Sequence, residues 1–133
     1  MAEKKDKSLV GNEKIEQDIR KLKEEFTDEN LAVVLTTIRK RSIENGQFVV
    51  AVDATKSSEH LMLKTATFNG KKWFVAYTSF EEEMKGHLNV VSCFLADIAQ
   101  LLDMAKKSNE VEGIILNPYG DMITLNKQIL EVI

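Results

Sequence analysis

Polar residues stand at three points of this sequence where apolar, strand-like segments end, and together they could form a small-molecule site. The candidate ligand-binding residues are Asp53, Tyr77, Ser79, Asn117 and Tyr119. If the strands run parallel, their carboxyl ends share one edge, which is where ligands bind in α/β sheets. The alternative is turn chemistry, because Asn, Pro, Gly and Asp are the residue types that turns require. In the turn at residues 117–120, Gly120 is expected to adopt a backbone conformation that strains other residues.

Other residue types that could do chemistry are isolated. His60 and His87 have no second ligand at metal spacing, whereas zinc sites use three or four Cys or His ligands. Cys93 lies in an apolar run, which predicts a buried and inert thiol. The acidic run at residues 81–83 is typical of a solvated first helical turn. With no glycine-rich phosphate loop and no nucleophile motif, the sequence predicts no catalytic residue, no metal and no cofactor.

Two helices are expected to open the fold. Apolar residues at helical spacing predict one helix from Glu13, with Asn12 as its N-cap. Thr27 and Asp28 begin a second, which ends at residues 45–46, where glycine accepts a left-handed backbone. A capping box at residues 79–82 predicts a short helix, and Leu95 begins the stripe of a longer one. A final helix is expected to carry Leu125, Ile129, Leu130 and Ile133.

Strands are predicted from apolar runs bounded by turn residues. The run at 48–52 is apolar on both alternating faces, which indicates a strand covered on both sides. Residues 61–68 and 72–77 flank Asn69 and Gly70, a pair typical of a two-residue hairpin turn. Further strands are expected at 88–93, 113–117 and 122–124. The expected fold is α+β, a mixed β-sheet of about five to six strands with a central β-hairpin, packed by the N-terminal and further helices.

Composition limits the class of protein. The chain has 133 residues, a net charge of −3 and one cysteine, which suits a single domain at 12–133 after a flexible N-terminus at 1–11. The acidic balance argues against nucleic acid, and the basic cluster at 39–41 is expected to complement the helix dipole. No apolar run approaches a membrane span or a signal peptide. With one cysteine, a cytoplasmic location is expected.

Two segments resemble a known family. Residues 73–81 (WFVAYTSFE) resemble the strand-and-cap segment of the SseB protein N-terminal domain family. Residues 113–120 (GIILNPYG) are similar to its Asn-Pro segment, and 123–130 to the continuation, so the likeness covers roughly residues 27–133. Tyr77 stands where the family often has Phe. The resemblance implies an α/β domain of unestablished activity, with no catalytic residues to transfer.

Two functions follow as hypotheses. The first is a non-enzymatic protein-interaction or accessory module, whose partner is another protein or a second copy of the chain. The second is a small-molecule or catalytic site at the strand ends. A homodimer is suggested because Val132 points away from the stripe of the last helix. The stripe of the first helix, from Ile15 to Phe26, could likewise project beyond a small sheet. The alternative is that both stripes complete the core of a single chain.

Overall fold

The computed structural model describes residues 9–51, 65–85 and 93–133. Within these ranges the chain forms five helices and six strands, in keeping with the expected α+β class. In chain order they are α1 (Asn12–Glu24), α2 (Asp28–Ile43), β1 (Gln47–Ala51), β2 (Thr65–Phe68), β3 (Lys71–Ala76), α3 (Phe80–Met84), β4 (Cys93–Asp97), α4 (Ile98–Lys107), β5 (Gly113–Leu116), β6 (Ile123–Asn126) and α5 (Lys127–Val132). None of these helices has the length and hydrophobicity to span a bilayer.

The strands form two sheets of mixed direction. One sheet has the order β2-β3-β5-β6, and the other pairs β1 with β4. Strands β3 and β5 are parallel, and every other pair is antiparallel. Val49 and Tyr77 join the two sheets by a bridge with N–H···O distances of 2.8 and 2.9 Å. Because β2 and β3 come first in the strand order, the β2–β3 hairpin forms one side of the larger sheet.

The hairpin turn confirms the local prediction. Asn69 and Gly70 have φ values of 55° and 76°, the positive values that a type I′ turn needs. Phe68 pairs directly with Lys71, so the turn contains only these two residues. The sequence predicts this element well because the requirement for positive φ is local.

The core lies between the sheets and the helices. Helix α1 buries Ile15, Ile19 and Leu22 completely or nearly so, and α2 adds Val34 and Ile38. Of the two alternatives for this stripe, completion of the core fits Ile15, Ile19 and Leu22, whereas Phe26 is 76% exposed. On the opposite face a smaller cluster contains Leu9, Val49, Val75 and Tyr77.

Two element boundaries differ from the sequence prediction. Leu95, expected in a helix, lies in β4 opposite Val49, and α4 begins only at Ile98. Leu125, expected in the last helix, lies in β6 opposite Ile114. Helical spacing of apolar residues was misleading at both places, because pairing with a buried strand decided the local structure. The strand predicted at 88–93 falls outside the described residues except for Cys93.

Candidate functional site

Parallel pairing of β3 with β5 brings most of the predicted site residues together. Ala76 is in register with Leu116, and the Asn117 N–H donates to the Ala76 carbonyl at 2.9 Å. The residues that follow both strands therefore lie side by side, as expected for carboxyl ends of parallel strands. Tyr77, Asn117 and Tyr119 meet there. Ser79 lies two positions after Tyr77 in the chain. Asp53 lies outside the described residues.

Asn117 and Thr78 form the centre of this cluster. The Thr78 N–H donates to Oδ1 of Asn117 at 2.9 Å, and Nδ2 of Asn117 donates to Oγ1 of Thr78 at 3.1 Å. Both residues are buried. Asn117 has a φ of 55°, a left-handed conformation that asparagine tolerates better than most residues. Its amide therefore acts within the fold, holding the turn after β5 against the end of β3.

A chain of buried polar groups extends this contact into the helices. The Thr78 hydroxyl donates to Oε2 of Glu16, and the Asn12 amide donates to the carbonyls of Thr78 at 3.1 Å and Gln47 at 2.8 Å. Arg41 donates from Nε to Oδ1 of Asn12 at 3.0 Å. The network thus ties α1 and α2 to β1 and to the end of β3.

The sequence prediction was wrong about Asn12 and incomplete about Arg41. Gly11, with a φ of 105°, occupies the N-cap position of α1, so the Asn12 side chain is free to reach across the core. Arg41 lies in the last turn of α2, as expected, but its side chain is buried and hydrogen-bonded to Asn12 and Glu44. The sequence shows glycines at positions 11 and 46. In the structure, an added Cβ at either position would meet the Arg41 side chain.

Tyr77 and Tyr119 stack at the edge of the cluster. Their ring centroids are 6.1 Å apart and their planes differ by 25°. Tyr77 is 1% exposed, whereas Tyr119 is 47% exposed. Burial raises the pKa of the Tyr77 phenol above its ordinary value, and the nearby Tyr119 adds to the effect. Tyr77 is thus held neutral, which suits packing rather than proton transfer near pH 7.

Ser79 and Glu82 are used in capping and ion pairing. The Ser79 hydroxyl accepts from the Glu82 N–H at 3.2 Å, which confirms it as the N-cap of α3. The Glu82 carboxylate, however, binds Lys85 Nζ at 2.6 Å instead of completing a capping box. A Cβ added at Gly120 would come within 2.5 Å of Glu82 Oε1.

The expectation for Gly120 needs correction. The positive-φ residues of this turn include Asn117 but not Gly120. Glycine is needed at position 120 because a side chain from α3 lies against it, not because of its backbone conformation.

These contacts give the cluster a structural role in the described part of the chain. The polar atoms of Thr78 and Asn117 bond to each other and to their neighbours, so they have little capacity left for a ligand. Burial raises the pKa of the Cys93 thiol and the Glu83 carboxylate adds to this, which makes Cys93 a weak nucleophile. Among the described residues, no group of His, Cys, Asp and Glu is arranged to hold a metal ion.

A second feature is an apolar groove of about 250 Å³ formed by the helices and strand ends. Phe26 at the end of α1 is largely exposed beside it. Lys23 is the charged member of its lining, which otherwise consists of apolar residues and one threonine. The lining residues are Leu22, Lys23, Phe26, Leu31, Phe68, Met122, Ile123, Thr124 and Ile129.

Sequence reasoning missed this groove, although it noted the apolar stripe of α1. The lining comes from segments far apart in the chain, and that stripe contributes only Leu22 and Phe26 to it. Comparison with protein-family models, curated proteins and solved structures found no match to this chain.

Proposed function

We propose that this chain is a cytoplasmic, non-enzymatic interaction or accessory module that binds a segment of another protein in the apolar groove. A relationship to the SseB N-terminal domain family is part of this proposal and rests on residues 73–81 and 113–120. Neither a cofactor, nor nucleic acid, nor a membrane is part of the proposed activity.

The observation that carries the proposal is the exposure of Phe26 beside an apolar groove. Its side chain, two residues after the end of α1, is 76% exposed, while Leu22 in the last turn of α1 is buried. Aromatic side chains, phenylalanine among them, are enriched at the cores of protein interfaces relative to the rest of the surface. Leaving a phenylalanine in water gives up free energy that a partner could recover by covering it.

A protein segment fits the groove better than a small molecule does. Small-molecule sites have volumes of roughly 300–1,000 Å³ and enclose most of the ligand. This groove is smaller, at about 250 Å³, and Phe26 at its side is open to solvent. The alternative site at the strand ends receives less support, because Thr78 and Asn117 bond to each other there.

Charge favours a different protein over a second copy of this chain. The described lining contains Lys23 and no carboxylate. In a two-fold dimer formed through the groove, two ammonium groups would share one small patch without an acidic partner. A partner that supplies a carboxylate matches this surface better.

Selection from a displayed library of short linear peptides tests the proposal. We expect wild-type protein to enrich peptides whose affinity falls about thirtyfold in Phe26→Asp, which corresponds to about 2 kcal/mol at a hot spot. Ile43→Asp is the matched control, because Ile43 is 71% exposed at the end of α2 and does not line the groove. Peptides equally affected by both variants, or no enriched peptide, would contradict the proposal.

Sedimentation of the same proteins tests the choice of partner. We expect wild-type protein to sediment as a monomer of 15.1 kDa at micromolar concentration. A dimer that Phe26→Asp dissociates and Ile43→Asp leaves intact would assign the groove to a second copy instead.

A further inference from the structure

Residues at the start of strand β6 contribute to the lining of the groove. Met122, directly before the strand, and Ile123 and Thr124 within it all line the groove. Successive side chains of an extended strand point to opposite faces of a sheet. Ile123 packs into the core with the helices, so Met122 and Thr124 project to the other face. The groove therefore contacts residues that project to both faces at the start of β6, and it also reaches Phe68 of β2.

Among the described residues, β6 is an edge strand of its sheet. β6 is last in the order β2-β3-β5-β6, with β5 on one side. Within the described ranges, no other strand pairs with its second side, and no backbone hydrogen bond from another element reaches it. In an antiparallel pair, alternate residues direct N–H and C=O away from the partner strand. Such an edge can accept an added strand.

We infer that the bound segment is extended and adds to the sheet as a strand beside β6. This inference rests on the proposed function and specifies its partner. The segment pairs its backbone with β6, and alternate apolar side chains enter the groove beside Phe26 and Ile129. An acidic side chain at one end pairs with Lys23, which takes part in none of the ion pairs recorded among the described residues. A bound helix would instead leave the β6 edge unpaired.

N-methylation of the selected peptides tests the backbone pairing. Each peptide that binds in a Phe26-dependent way is resynthesised with one backbone N–H at a time replaced by N–CH₃. Strand addition predicts an alternating pattern, with affinity about tenfold weaker at every second position and little changed between them. An affinity loss without alternation, in peptides that still depend on Phe26, would overturn the inference and leave the proposed function standing.

Amide hydrogen exchange of the protein gives an independent readout. Strand addition predicts slower exchange at alternate amides of β6 in the complex, and unchanged exchange in β1, which lies in the other sheet. Uniform protection of α1 without a change in β6 would indicate a helical occupant and overturn the inference.

A charge exchange tests the acidic contact. We expect Lys23→Glu to weaken binding of an acidic selected peptide about tenfold, and replacement of the acidic residue of the peptide by lysine to restore it. Lys21→Glu, on the same helix outside the groove lining, is the control and should leave affinity nearly unchanged. Equal effects of Lys23→Glu and Lys21→Glu on affinity would show that Lys23 makes no specific contact with the acidic residue of the peptide.

Discussion

Thr78 and Asn117 are joined by two hydrogen bonds, one to the backbone N–H of Thr78 and one to its hydroxyl. The contact holds together the ends of two parallel strands, and it uses an asparagine in a left-handed conformation. Both residues are buried, so water cannot replace either bond. Residues that suggested a ligand site in the sequence therefore stabilise the fold.

Replacing Asn117 by alanine should destabilise the protein by about 2–4 kcal/mol. The change leaves the buried Thr78 N–H without an acceptor and places alanine at a φ of 55°. Asn69 is the matched control, since it has the same φ of 55° in an exposed turn, and Asn69→Ala should cost only about 1 kcal/mol. Urea denaturation measures both, and equal losses would show that the hydrogen bonds contribute nothing.

Gly113→Ala should destabilise the protein by at least about 3 kcal/mol. A Cβ at this position would lie 1.9 Å from the carbonyl oxygen of Leu125, and a backbone atom of the paired strand cannot rotate away. Gly70→Ala provides the comparison. Like Gly113, with a φ of 157°, Gly70 has a positive φ, of 76°, but nothing lies within 4 Å of the Cβ that alanine would add there. Similar midpoints of denaturation for the two variants would refute the proposed clash.

Gly120→Ala should cost about 1 kcal/mol through its contact with Glu82 rather than through backbone strain. The Cβ would lie 2.5 Å from Glu82 Oε1, at the end of a side chain that can move. A double-mutant cycle with Glu82→Ala is therefore expected to show coupling that removes most of this cost. Additive losses in the cycle would point to a cause in the turn itself.

Stability should decline at alkaline pH because of Tyr77. Its pKa in the folded protein is raised above the ordinary value of 10.0, so the folded state keeps a proton that the unfolded state loses. The stabilising contribution is complete below pH 10.0 and is lost as the pH rises towards the folded-state pKa. Denaturation of wild type and Tyr77→Phe across this range should show a steeper decline in wild type. Parallel declines would exclude Tyr77 as the cause.

Local signals in the sequence were reliable at three places, although the N-cap expected at Asn12 is occupied by Gly11 instead. The Asn69-Gly70 turn and the caps at Thr27 and Ser79 follow from one residue and its near neighbours, and all three are present. Leu95 was misplaced because its environment is set by Val49, far away in the chain.

The cluster at the ends of β3 and β5 was predicted only in part, because several of its contacts join residues that are far apart in the chain. Tyr77, Asn117 and Tyr119 were expected to meet if their strands ran parallel, and β3 and β5 do. The hydrogen bonds that join Arg41 to Asn12, and Asn12 to the Thr78 carbonyl, depend on helix packing that no local pattern encodes. The groove joins Phe26 to Ile123 and Ile129, and only the fold brings these residues together.

The parallel neighbours β3 and β5 also bear on how fast the chain folds. The β2–β3 hairpin closes over two residues, whereas the bond from Thr78 to Asn117 spans 39 positions and that from Gln47 to Asp97 spans 50. Contacts between distant positions form slowly, because the intervening chain must lose its freedom before they add stability. We therefore expect the hairpin to be formed in the folding transition state and the Thr78–Asn117 contact to form after it. Asn117→Ala would then accelerate unfolding far more than it slows folding.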